Sequence, residues 1–251
     1  MRLHVLCLAA AVAVSACNKE EPFDTARIKG SELLKKNDFA GAATEYEKSL
    51  TLNPNQEARV WDRAAFAHMK AGNFDKSAEL LEKSLDKRAD QAAKLETLRN
   101  VAVMYLKEAQ DPDKAEAWFQ KVLALDAKDE QALSWLAEIS SQRGGARSMT
   151  AVADGIHLTK ALERYDAVIA VVPTKPDAYI NKRIVLVKYI DALTKQRLSI
   201  LADAEAQKKD KEAYDSMMEQ ASDTEKRIDE LKAMLEETSK KLGEVNKANK
   251  K

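Results

Sequence analysis

The chain has 251 residues, of which 33% are charged and 45% hydrophobic, with only seven glycines and five prolines. Lys plus Arg equals Asp plus Glu at 41 each, so no bulk charge draws the chain to nucleic acid, and Lys208-Lys209 and Lys250-Lys251 read as solvated ends. This composition points to an all-α protein rich in solvated faces, of one or two domains.

The N-terminus reads as a targeting segment. Arg2 precedes the apolar run Leu3–Val14, which is shorter than the roughly 20 residues that span a bilayer. The run ends in Val14-Ser15-Ala16-Cys17, which resembles a bacterial lipobox. The resemblance implies a signal peptide over 1–16, cleavage after Ala16 and lipid attachment at Cys17. The alternative is an ordinary signal peptide with an incidental cysteine. Each buried CH₂ contributes about 0.8 kcal/mol, so several acyl chains hold firmly where one holds weakly. Asn18 follows the cysteine. By analogy with lipoprotein sorting this implies an outer-membrane anchor facing the periplasm, with the inner membrane as the alternative. Residues 17–24 form a polar tether. Cys7 leaves with the leader, so the mature chain has no disulfide and no thiol metal site.

Next comes a recurring unit. Ala26–Lys35 is a helical run, and Asn37-Asp38 breaks it. Phe39 plugs the turn, and a second helix carries Ala42, Ala43, Tyr46, Ser49 and Leu50 on one face until Pro54 stops it. Gly72-Asn73-Phe74 repeats the break, followed by Leu81, Ser84 and Leu85. A third copy runs through Ala115, Phe119 and Val122, and a fourth through Ala161, Tyr165, Val168 and Pro173. Helical runs Ala58–Lys70, Leu95–Ala109 and Glu130–Gln142 precede these copies. Gly30, Ala64-Ala65, Ala102 and Ala137 mark the close crossings.

With Trp61, Ala65, Gly72, Phe74, Ala78 and Leu81 in order, the pattern resembles the tetratricopeptide repeat, a helix-turn-helix unit of about 34 residues. The resemblance covers 25–176, about four helix pairs. It implies a solenoid whose first helices line a concave groove, and it implies protein partners in place of cofactors. Carried over, the groove positions are Arg27, Ser31 and Lys35, then Asp62, Phe66, Met69 and Lys70, then Arg99, Val103 and Lys107, and finally Ser134 and Glu138. Phe66 and Met69 stand out as apolar side chains at exposed positions. The positions of the family's carboxylate clamp hold Arg27, Ser31, Arg63, Glu96 and Asn100, which is not the clamp. An insertion, 144–155, interrupts the fourth pair as either a functional loop or an extension of the preceding helix.

Residues 177–251 change character to heptad-like long helices. One seam runs Leu186, Ile190, Leu193, Arg197, Ile200 and Ala204; a second runs from Tyr214 and Met217 through Ile228, Leu231 and Leu235 to Val245. They fall out of phase across Gln207–Glu212, where Asp210 can cap a helix. An antiparallel hairpin fits this better than one continuous coiled-coil rod, which would have to absorb the slip. The second seam is satisfied within the chain or by another subunit. The closing Val245–Lys251 is expected to fray.

No catalytic constellation emerges, and the chain reads as a non-enzyme without cofactor or metal. His68 and His157 lie in different copies. Ser84-Leu85-Asp86-Lys87 lacks the companion motifs of penicillin-binding enzymes, and Ser84 is a repeat's small packing residue. Asp111-Pro112-Asp113 is a turn and lacks the residues of a calcium loop. The function expected is a lipid-anchored scaffold that binds an envelope protein. It resembles repeat lipoproteins that assist secretin, pilus or β-barrel assembly. The alternative is a self-associating spacer acting through its C-terminal coiled coil as a homo-oligomer.

Overall fold

The computed structural model describes residues 21–145 and 155–250. The signal peptide 1–16, Cys17 and the rest of the tether up to residue 20, and most of the 144–155 insertion lie outside the described residues. Within them every regular element is a helix, ten in number, and none is long and apolar enough to cross a membrane. The chain divides into two compact units, one ending at Lys87 and one beginning at Arg88. That division falls inside the repeats and not at residue 177, where the heptads begin.

The first unit holds α1 (Pro22–Lys35), α2 (Phe39–Leu52), α3 (Ala58–Lys70) and α4 (Phe74–Leu85). α1 starts inside the expected tether because Pro22 sits at its first helical position, where a missing N–H costs nothing. The α1–α2 turn is made by Asn37 at φ +59°, a left-handed geometry that asparagine tolerates. The Asp38 carboxylate then accepts from the Gly41 N–H at 2.9 Å, capping α2. A Cβ on Gly41 would stand 2.5 Å from that carboxylate, so the glycine keeps the cap in place. Gly72 at φ +82° plays Asn37's part between α3 and α4. The core joins Ala42, Ala43, Tyr46 and Leu50 of α2 to Val60, Trp61, Ala64, Ala65 and Ala67 of α3 and to Leu80 of α4. Gly30 admits the Tyr46 ring against α1, since a Cβ there would meet ring carbons at 3.0–3.2 Å. Small residues at these crossings let the backbones approach, and the large side chains fill what remains.

The second unit holds α5 (Gln91–Lys107), α6 (Pro112–Leu125), α7 (Glu130–Arg143), α8 (Gly155–Val171), α9 (Pro176–Ala206) and α10 (Lys211–Ala248). α5 begins four residues before the predicted Leu95 because Asp90 caps it, accepting from Ala92 and Ala93 N–H groups at 3.2 Å; it ends at Lys107, short of Ala109. Gln110 (φ +54°) and Gly145 (φ +94°) again supply a left-handed residue after the first helix of a pair. Pro112 and Pro176 open α6 and α9.

α9 and α10 form the antiparallel hairpin. α9 ends at Ala206 with Gln207 as its cap, and Asp210 caps α10, accepting from Ala213 N–H at 3.2 Å. The far end is held by Asn249 Nδ2, which donates to the Thr174 carbonyl at 3.2 Å. α10 thus stays helical to Ala248 instead of fraying from Val245. Its seam is used inside the chain. Leu231 shares a core with Ala137 of α7, Leu158, Ala161, Leu162 and Tyr165 of α8, and Val185 and Leu186 of α9. Ala221, Ile228, Thr238 and Leu242 are buried along the same stripe.

Candidate partner-binding faces

In the first unit the face is built on α1 and α3. Arg27, Ser31 and Lys35 recur at a spacing of four on α1, so they share one side of the helix. On α3 Arg59, Arg63, Phe66 and Lys70 form the corresponding stripe. Arg27 of α1 and Arg59, Val60 and Arg63 of α3 line one recess of about 150 Å³. Arg27 also donates to Asp24 at 2.8 Å, and Arg59 pairs with Glu57 at 2.9 Å. One turn beyond Arg63, Phe66 is 43% exposed. Its ring is braced edge-to-face by Phe39 at 6.3 Å, and the Lys70 ammonium stands 5.8 Å from its centroid. An aromatic ring held in one position and left wet is a ready anchor. Lys35 is exposed, whereas Ser31, Asp62 and Met69 are half-buried.

In the second unit several predicted positions are already engaged. Arg99 donates to Asp129 Oδ2 at 3.0 Å, and the buried Asp129 also caps α7 through the Ala132 N–H. Arg99 therefore ties α5 to α7. Glu138 accepts from the Tyr165 hydroxyl at 3.1 Å and from Gln142 at 2.9 Å. Burial and the facing Glu138 carboxylate push the Tyr165 phenol well above its ordinary range, so it stays a donor. Val103 and Ser134 are half-buried. Lys107 is exposed and lies 5.2 Å from the Trp135 ring, which stacks on Phe119 at 6.3 Å.

Two contributors escaped the sequence reading, Arg59 at the recess and Trp135 beside Ser134, and Arg63 entered it only as a position of the absent clamp. A signal was available. Arg59, Arg63, Phe66 and Lys70 fall on one helical stripe, and Trp135 occupies in its repeat the position that Arg63 occupies in the second.

A different polar cluster sits inside the second unit. Glu116 of α6 is 8% exposed. It accepts from Arg143 of α7 and Arg164 of α8, and from Lys160 of α8 at 3.1 Å. Burial alone would raise its carboxyl, but the bonds from Arg164, Arg143 and Lys160 outweigh burial and hold it at about 2. Arg143 also pairs with Asp113, and Arg164 also donates to the Leu136 carbonyl and the Ser140 hydroxyl, so the cluster clasps α6, α7 and α8 together.

The other chemical candidates resolve as packing. His68 is buried with its Nε2 3.3 Å from Glu47, out of line for a hydrogen bond. Ser84 is fully buried and donates to the Leu81 carbonyl at 2.7 Å. Asp111 caps α6, accepting from the Lys114 N–H at 2.9 Å. Among the described residues no group of His, Cys, Asp and Glu could hold a metal ion.

Helical hairpins repeated in tandem, with the first helix of each presenting polar and aromatic side chains, define a helical-repeat protein. Residues 28–56 and 56–128 each match a tetratricopeptide repeat model, so the first three helix pairs carry tetratricopeptide repeats. A 120-residue stretch is 28% identical to photosystem I assembly protein Ycf3 of Prochlorococcus marinus, covering 47% of this chain and 69% of that protein. A tetratricopeptide-repeat protein of Bacteroides fragilis has the same kind of fold. It matches at TM-score 0.57 and 14% identity, over 90% of this chain and 98% of its own.

Proposed function

We propose that this protein is a lipid-anchored scaffold that holds a protein partner at the bacterial envelope, on the model of an assembly factor. The observation that carries the reading is the α1–α3 face of the first unit. There an exposed, braced Phe66 stands beside an arginine-lined recess. The match to a relative whose name describes an assembly protein supports the same class. The anchor rests on Val14-Ser15-Ala16-Cys17 alone, and Asn18 after it favours the outer membrane. The spacer alternative leans on the heptads of α10. Those heptads bury Ile228, Leu231 and Leu242 within the chain, which favours the scaffold.

Two measurements test the reading. A photo-crosslinking amino acid at position 66, compared with one at the exposed Glu82 of α4, should give a discrete adduct with another protein from position 66 alone. Equal adducts from both positions, or adducts only with further copies of the chain, refute the scaffold. Mass spectrometry of the membrane-extracted chain should find an acylated residue at Cys17, and Cys17→Ser should release the chain from membranes. An unmodified Cys17 refutes the anchor without touching the scaffold.

A further inference from the structure

The hairpin of α9 and α10 differs on its two sides. The helices meet along the seam that holds Arg197, Ile200 and Ala204 of α9 and Met217, Ala221 and Thr224 of α10. Arg197 and Glu225 pair across it at 2.5 Å, and Ala204 and Ala221 are buried in it. Nearer the repeats, the residues one position before the seam, Val185, Tyr189 and Met234, pack on the core shared with α7 and α8. That side of the hairpin therefore faces the repeats. Toward the α9–α10 turn the same side is exposed and polar, with Gln196, Ser199 and Asp203 on α9 and Ser216, Gln220 and Asp223 on α10. In antiparallel helices the residues one position after the seam share the opposite, outer side. There Leu198 is 58% exposed and Met218 38%, with Leu201 and Tyr214 half-buried beside them.

We infer that this outer side of the distal hairpin pairs two copies of the chain, the two hairpins stacking about a twofold axis into a four-helix bundle. The outermost pair of a repeat array ordinarily turns a polar side outward; this one turns out Leu198 and Met218. Two antiparallel helices with one apolar side are half of a four-helix bundle. An identical half completes it by symmetry, since a twofold contact needs only a self-complementary patch. Charges at the edge of the patch are of both signs and paired in place, Arg197 with Glu225 at 2.5 Å and Glu205 with Lys208 at 2.9 Å, so the copies meet without opposing like charges. An anionic membrane is a poor occupant, because acids outnumber cations over residues 195–226. The distal stretch is about 18 Å long and about 20 Å across its two helices. The pair therefore buries on the order of 700–1,000 Å² in total, the size of a weak, reversible contact with a Kd on the order of 10–100 μM. The seam heptads stay inside the chain, and the pairing uses the residues beside them. It is independent of the Phe66 face, so either can fail alone.

The test uses the whole mature chain with Cys17→Ser, which removes any acyl chain and any thiol crosslink. Sedimentation velocity from about 5 to about 300 μM should show a monomer passing into a closed dimer. Leu198→Glu/Met218→Glu, both at exposed positions, should weaken the dimer roughly tenfold or more. Ser199→Glu/Gln220→Glu adds the same charges to the polar side and should leave the dimer unchanged. Thermal melting by circular dichroism confirms that the variants are folded, and Met218→Glu alone serves if the double variant is not. A chain that stays monomeric over the whole range overturns the inference. So does a dimer indifferent to Leu198→Glu/Met218→Glu, a dimer lost equally in the polar-side variant, or growth beyond two copies. A monomer that instead co-sediments with phosphatidylethanolamine–phosphatidylglycerol vesicles, and loses that binding with Leu198→Glu/Met218→Glu, assigns the face to lipid and overturns the inference too.

Discussion

Replacing Glu116 by glutamine removes the one negative charge on which Arg143, Lys160 and Arg164 converge. Lys160 and Arg164 of α8 then face Arg143 of α7 with the Asp113 carboxylate alone left beside Arg143. The carboxyl is depressed from 4.5 to about 2 in the folded chain, which corresponds to about 3 kcal/mol of stabilisation of the ionised form. The amide still accepts one hydrogen bond, so Glu116→Gln should cost about 2–3 kcal/mol at neutral pH. The pH dependence has a fixed sign. A folded pKa below the unfolded one stabilises fully above about 4.5, and that contribution is lost as pH falls toward 2. Urea unfolding of both proteins across that range isolates the term, because all other carboxylates cancel in the difference. The gap between wild type and variant should be widest at neutral pH and close as acid is added. Hydrogen exchange should place the loss in the amides of α6, α7 and α8. A variant as stable as the wild type, or a gap that does not change with pH, would refute the clasp.

Three other substitutions probe the fold. Gln110 holds a left-handed φ of +54° that costs an L-residue about 1–2 kcal/mol, so Gln110→Gly should raise the free energy of unfolding, measured in urea, by about 0.5–1 kcal/mol after the extra unfolded-state entropy is subtracted. The Tyr46 hydroxyl is buried without a partner among the described residues, so Tyr46→Phe should stabilise by up to about 1 kcal/mol, measured as a higher Tm. Leu231 of α10 is fully buried against α8 and α9. Leu231→Ala should cost about 3 kcal/mol, and its exchange signature should spread into α8 if the hairpin is part of the repeat core.

The packing of each pair is legible because it is local. The stripe Ala42, Ala43, Tyr46, Ser49 and Leu50 read from spacing is the set of buried residues of α2. The hairpin break at Asp210 follows from a phase slip and a capping residue, both within a few positions of one another. The α5 start is less legible, since Gln91–Lys94 read as surplus between repeats until Asp90 is seen capping them. The left-handed turn after each first helix could be anticipated at Asn37 and Gly72 but not at Gln110, where the residue type opposes the geometry and only register demands it. The Glu116 clasp lies beyond sequence reasoning, because its partners are 27, 44 and 48 residues away and a third of the chain is charged.

The same limit governs the predicted partner-binding positions, and it separates the two units. Alignment treats Phe66, Val103 and Glu138 as equivalents. In the fold Phe66 is wet, Val103 is half-buried and Glu138 is tied to Tyr165 and Gln142. A side chain that already holds internal hydrogen bonds must give them up to meet a partner, so only the surplus appears as affinity. Arg99 makes the point sharply. Reversing its charge would set a carboxylate against the buried Asp129 and loosen the cap of α7, so a partner lost in that variant could be lost to misfolding alone. Arg63 and Phe66 carry no such obligation to the cap of a neighbouring helix. Substitution there changes the face and leaves the core of Ala64, Ala65 and Trp61 behind it intact, which is why the binding experiments belong on the first unit.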